Sequence, residues 1–235
     1  MNARIFCMGA VLVLAAGIVV ADVAMPRDKW VPIRMASENV KIVLGPAKVT
    51  VEATFVLENE KEAATVVVGY PRGVLEKSLD DFAVTVDGEK VAVGSQAGKK
   101  GDRPDFGERE PKKGEALKPA YQFDGPYPEW KTFNVKFDAK QKRTVVVRYS
   151  VAPAEVETEK GKLLTYVYTL KTGATWSGNI GSATIQATLD GLTMKDIVSV
   201  TPVPPSETDA ATAPLVWRFK DFKPTQNIEI TFKAK

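Results

Sequence analysis

Lys48-Val49-Thr50-Val51-Glu52-Ala53-Thr54-Phe55-Val56-Leu57 decides the fold class. Val49, Val51, Ala53, Phe55 and Leu57 fall on one side of a pleated backbone, while Lys48, Thr50, Glu52 and Thr54 fall on the other. A helical period of 3.6 would mix the two sets, so the stretch is a strand with one face in a core. Upstream, Val40, Ile42 and Leu44 keep the same phase and meet it across Gly45-Pro46. Downstream, the polar residues 59–62 turn the chain into a further apolar run at 63–70. The spacing predicts a meander of antiparallel strands.

The same period continues outward. Phe82, Val84 and Val86 alternate with Ala83 and Thr85, and Asp87-Gly88 supplies the two positive backbone angles of a tight hairpin before 90–93 returns. Phe133, Val135 and Phe137 share a face, as do Val145, Val147, Tyr149 and Val151, with Gln141 in the turn between them. Beyond the charged stretch 152–162, strands are predicted at 163–171, 182–189, 197–201, 215–220 and 228–233. Residues 94–119 hold Gly, Lys, Glu and Asp with little that is apolar, which predicts a mobile excursion. The expected fold class is all-β: two antiparallel β-sandwich units, at 22–155 and 156–235, with a boundary near Glu155. One bilobed sandwich is the alternative, and composition does not choose between them.

Residues 1–21 read as a signal peptide: Arg4 precedes an uncharged apolar run over 5–20, which closes on Val19-Val20-Ala21 before Asp22. The run is shorter than the roughly 20 residues a membrane-spanning helix needs, so no integral membrane segment is expected after cleavage. The chain has one cysteine, Cys7, inside this leader. Burial, without disulfides, must therefore hold the mature fold, a pattern that suits a bacterial protein exported to the periplasm or beyond the cell. The net charge of +3 comes with no basic stripe, which argues against nucleic acid as a partner.

With no histidine in the sequence, Ser-His-Asp and Cys-His mechanisms, histidine bases and the usual zinc ligands are excluded. Lys171-Thr172-Gly173 and Ser177-Gly178-Asn179 imitate motifs of penicillin-recognising enzymes, but the Ser-x-x-Lys nucleophile is missing and the order is reversed. Asp80, Asp81, Asp87 and Asp102 lack EF-hand spacing, so no metal and no cofactor is expected. Glycan hydrolysis needs only two carboxylates, for which Asp80, Asp81 and Glu129 are candidates. Acids at strand ends are more commonly solvated turn residues.

Two aromatic loops are the candidate binding features. Tyr121, Phe123, Tyr127 and Trp130 lie in a Pro-interrupted segment that can stack on sugar rings or Pro-rich peptides, or cap the open end of a sandwich. Trp176 and Asn179 lie among Gly173, Gly178 and Gly181, which permit a tight connection. There Trp176 either plugs the space between lobes or offers its ring to a partner.

Ser37-Glu38-Asn39-Val40-Lys41-Ile42, the segments 51–59, 65–71 and 145–149, and above all Thr172-Gly173-Ala174-Thr175-Trp176-Ser177-Gly178-Asn179-Ile180-Gly181 resemble a bacterial exported family of unknown function. The resemblance implies export and a β-rich fold, and brings no catalytic residue. The first half is also similar to the VIT type of β-sandwich, through its Gly-Tyr-Pro segment, Asp-Gly hairpin and closing Val-rich strand. VIT units accompany an adhesion domain with a metal site, and none follows here. The expected function is a non-catalytic exported binding or envelope module for an unknown protein or glycan. A carboxylate-dependent glycan hydrolase and a structural subunit lending sheet edges to an assembly are the alternatives.

Overall fold

The computed structural model describes residues 33–73, 76–97, 127–158, 161–202 and 215–234; the expected signal peptide and most of the 94–119 excursion lie outside them. In chain order the strands are β1 (Ile33–Leu44), β2 (Val49–Asn59), β3 (Ala64–Pro71), β4 (Asp80–Val86), β5 (Glu89–Lys90), β6 (Gly94–Ala97), β7 (Glu129–Phe137), β8 (Lys142–Val151), β9 (Ala154–Thr158), β10 (Gly161–Tyr168), β11 (Ile180–Leu189), β12 (Ile197–Thr201), β13 (Leu215–Phe222) and β14 (Ile228–Lys233). They form a seven-stranded sheet ordered β13-β11-β1-β2-β8-β4-β5, a four-stranded sheet β12-β14-β10-β9 and a three-stranded sheet β3-β7-β6. The fold is all-β and of the sandwich type.

The alternation read at 48–57 is what builds the core. Register places Trp217, Ile185, Val40, Ala53, Val147 and Val84 side by side across the large sheet, and all are buried. Val68, Phe133 and Phe137 of the three-stranded sheet and Tyr168, Ile230 and Phe232 of the four-stranded sheet join the same cluster. Each such side chain contributes about 1.5 to 3 kcal/mol by leaving water. A bulge between Met35 and Ser37 shifts the phase of β1, so that Glu38 points inward. Tyr168 Oη meets it from the four-stranded sheet, donating to Glu38 Oε1 at 2.8 Å.

Several expectations are corrected. β2 and β3 do not continue one meander, because the chain crosses from the large sheet to the three-stranded sheet between them, and β7 to β8 crosses back beside it. Buried Asn59 ties the two corners together: its Nδ2 donates to the carbonyls of Glu62 and Asp138, and its backbone N–H to that of Gln141. The sheet is also not wholly antiparallel, since β1 and β11 pair in parallel from Ser37↔Ser182 to Leu44↔Leu189. That pairing joins strands from before and after position 155 in one sheet, and position 155 itself falls in β9. Residues 94–97, assigned to the excursion, instead pair with β7 as β6. The Asp87-Gly88 hairpin stands as expected, with φ of 50° and 88°.

Candidate functional site

The structure buries three of the six residues that the sequence offered as a binding surface. Tyr127 and Trp130 pack against each other edge to face, with centroids 5.4 Å apart, and Trp130 is 1% exposed. Trp176 follows a 3₁₀ turn at Leu170–Thr175, where the chain passes from the four-stranded to the seven-stranded sheet, and is likewise buried. Its backbone is fixed by Trp176 N–H to Gly173 O, and the next residue donates to Ile33 O at the start of β1. Gly181 is required by this approach, since a Cβ there would lie 2.4 Å from the carbonyl oxygen of Ala36. The three rings fill space between elements, so none is a platform for stacking. Asn179 is exposed, and its Nδ2 donates to the backbone and side-chain oxygens of Asp221. Tyr121 and Phe123 lie outside the described residues.

A different group converges where the three sheets meet. Tyr70 (β3), Tyr149 (β8) and Tyr166 (β10) all face inward, and their hydroxyls form a chain: Tyr70 Oη donates to Tyr149 Oη at 2.9 Å, and Tyr149 and Tyr166 share a bond of 3.2 Å. Half-buried Phe82 lies over the same pair, 5.6 Å from the Tyr70 ring and 6.3 Å from the Tyr149 ring. Lys131 pairs with Tyr70 across the ladder, which sets it on the inward side at the sheet's end. Its Nζ donates to Glu129 Oε1 at 2.6 Å and to Ser95 Oγ at 2.9 Å, while Arg72 Nε lies 3.5 Å from Glu129 Oε2. Arg72 Nη1 also donates to the backbone carbonyl of Glu76, whose Oε2 accepts from Gly73 N–H at 2.7 Å. The result is an aromatic floor rimmed by two cations and two carboxyls.

The two carboxyls are driven apart in acidity. Burial pushes Glu76 up to about 7, against the opposing pull of the Gly73 amide and Arg72. Glu129 is held below the ordinary range, chiefly by its bond from Lys131, with Ser95 and Arg72 adding to it. Burial raises Tyr149 and Tyr166 well above the usual phenol value, and the Glu76 charge adds to both, so these two hydroxyls stay neutral. Asp80 and Asp81 are exposed; Asp81 accepts from Lys48 and Ser150.

Sequence reasoning missed Tyr70, Arg72, Glu76, Lys131, Tyr149 and Tyr166. A signal was present for the tyrosines: a phenol at an inward position of an alternating strand must find a hydrogen-bond partner inside. Nothing in local pattern marks Glu76, whose burial depends on chains that fold around it.

No family model and no curated protein matches the sequence. Among solved structures, the chain is similar to a protein of Legionella pneumophila subsp. pneumophila str. Philadelphia 1, described provisionally as nutrient binding, with 16% identity, a TM-score of 0.57, and coverage of 92% of this chain and 72% of that one. It is also similar to an M1 zinc metallopeptidase of Deinococcus radiodurans, at 9% identity and a TM-score of 0.43 over 88% of this chain and 43% of that one. Yeast LTA4 hydrolase follows at 11% identity and a TM-score of 0.41, with 86% of this chain and 29% of that one covered. The likeness to the Legionella protein is one of fold.

Proposed function

We propose that the chain is an exported, non-catalytic binding module that takes a glycan at a mouth lined by half-buried Phe82, Arg72, Glu129 and Lys131, above the enclosed Tyr70 and Tyr149. One observation carries this reading: a half-buried ring over two tyrosines, rimmed by Arg72, Glu76, Glu129 and Lys131. The Phe82 ring supplies an apolar face for a sugar, and the carboxyls, the ammonium and the guanidinium group beside it supply partners for its hydroxyls. The shared fold with a protein provisionally described as nutrient binding supports a binding role. Export from the leader-like residues 1–21, in a bacterial host, belongs to the same proposal, and N-terminal sequencing of secreted protein should begin at Asp22.

A glycan array with the intact protein, followed by calorimetry on its hits, tests the site. Phe82→Ala and Arg72→Ala are expected to weaken binding at least tenfold, while Lys136→Ala, on an exposed position of β7, leaves it unchanged. An array with no hits, or full affinity in Phe82→Ala, would remove the mouth as the binding site.

A second reading is favoured by the split acidity of Glu76 and Glu129, both of which adjoin Arg72. An acid protonated near neutrality beside an ionised carboxylate is the division of labour that glycoside hydrolysis uses. Release of reducing sugar by the purified chain, lost in Glu76→Gln, would place this reading above the first.

A further inference from the structure

We propose that β12 pairs edge to edge with β12 of a second copy of this chain. β12 closes one side of the four-stranded sheet, and alternate residues of an antiparallel strand turn both backbone groups away from their neighbour. The Ile197 amide is taken by Met194 O, but the groups that residues 198–201 turn away from β14 have no partner among the described residues. Another extended backbone satisfies such a row. The other sheet edges are blunted. β5 is two residues, both charged, and β6 holds no β-branched residue. β9 carries Glu155, and β13 carries Arg218, Lys220 and a left-handed Asp221 with φ of 45°. β3 is uncharged, but its Gly69, Tyr70 and Pro71 are already buried. β12 is uncharged and open: Val198, at 50%, is the most exposed large hydrophobic side chain among the described residues. Its bulge, between Ile197 and Ser199, lies at the start of the strand and leaves 199–201 regular.

Symmetry selects the occupant. An antiparallel pair about a two-fold at Val200 sets Val200 against its copy, Ser199 against the second copy's Thr201, and Val198 against its Pro202. Ser199 and Thr201 share the outer face with Thr231 and Glu229 of β14, so the pair repeats the hydroxyl contact that Thr165 and Thr231 already make across this sheet at 3.0 Å. Residues 197–202 hold no charge, and Lys195 and Asp196 fall at opposite ends of the pair. Glu229 stands three strand spacings, about 14 Å, from its copy, which is beyond a Debye length in ordinary salt. Arg218 and Lys220 of β13 alternate with buried Trp217 and so point to the far face of the large sheet. No like charges are therefore opposed, whereas a charged strand from another protein finds no counter-charge along 197–202. Five residues bury little area, so the pairing is weak and depends on concentration.

Sedimentation of the secreted chain over a concentration series tests this. The mass is expected to rise from one copy to two, and hydrogen exchange at the amides of 198–201 to slow in step with it. Val198→Lys combined with Thr201→Lys places four lysines along the join and should raise the dissociation constant at least tenfold. Val156→Lys, on the opposite edge of the same sheet, should leave it unchanged, as should Phe82→Ala, which separates this edge from the mouth. The proposal is overturned by a single-copy mass at millimolar concentration, by full pairing in the double variant, or by equal loss in Val156→Lys. It is also overturned if a foreign peptide of alternating Val and Thr protects the 198–201 amides while the chain alone stays a single copy. Melting temperatures within a few degrees of the parent establish that the double variant is folded; should it fail to fold, Val198→Lys alone, at a half-exposed position, carries the test.

Discussion

Trp176 and Tyr149 are both buried aromatics that carry one polar group, and the structure treats them in opposite ways. Trp176 sits at the crossover between sheets, and its indole N–H has no acceptor among the described residues. Tyr149 lies at the junction of all three sheets with its hydroxyl bonded on both sides, to Tyr70 and to Tyr166. The tryptophan supplies volume, and orientation of its ring is set by packing alone. The tyrosine supplies direction as well, because each hydroxyl must point at the next. A buried indole left unbonded carries a desolvation penalty that a fully bonded phenol avoids.

The largest effect expected from this contrast is at Trp176. Trp176→Ala removes a wholly enclosed ring and should lower unfolding free energy by about 3 to 5 kcal/mol in urea titration. Trp176→Phe keeps most of the volume and removes the unbonded N–H, so its loss should be below about 1.5 kcal/mol. A loss from Trp176→Phe as large as that from Trp176→Ala would show that the indole nitrogen matters, and the contrast with Tyr149 would collapse.

Tyr149→Phe is the converse experiment. It keeps the ring but strips Tyr70 and Tyr166 of their shared partner, leaving the Tyr166 hydroxyl buried with no other bond among the described residues. A cost of about 1 to 3 kcal/mol is expected, although the change is only one oxygen. The double variant Tyr149→Phe with Tyr166→Phe should recover part of it, because both partners of one bond are then apolar. If Tyr149→Phe proved neutral, the hydroxyl chain would be incidental to the fold.

The same contrast explains how far the sequence could be read. Residues 48–57 reveal β2 and its buried face because alternation is local, and the Asp87-Gly88 hairpin is visible for the same reason. Which sheet a strand joins is not local. β3 and β7 alternate as clearly as β2, yet they leave for another sheet at corners held by Asn59, a residue whose contact with Asp138 spans 79 positions. The Trp176 loop stood out by composition, but composition could not say whether its ring faced water. Glu76 stood out by nothing, since its raised pKa comes from burial that only the folded chain creates.

Glu76 extends the comparison to a group whose state changes with pH. Folding raises its carboxyl from 4.5 to about 7, so the folded chain holds that proton more tightly than the unfolded chain does. The stabilisation from this group is complete below pH 4.5, declines as pH rises, and is gone above about 7. Glu76→Gln stays neutral throughout. It should match the parent near pH 4 and exceed it by about 1 to 3 kcal/mol at pH 8, the range reflecting a half-buried side chain. Melting temperature followed from pH 4 to 8 checks this, and parallel curves for the two proteins would mean that Glu76 titrates normally.

Asn179 gives the smallest effect and the finest test of the Trp176 loop as a packed plug. Its Nδ2 reaches Asp221 O and Oδ1 at 3.3 Å each, on an exposed surface where water competes for both. Asn179→Ala should therefore cost no more than about 0.5 kcal/mol, within the usual range for surface changes. Hydrogen exchange at the Ile180 amide would report whether the loop loosens while Trp176 stays enclosed. If the ring holds the loop, exchange stays slow in Asn179→Ala and rises in Trp176→Ala; fast exchange in both would mean that the clasp to β13, and not the ring, fixes this connection.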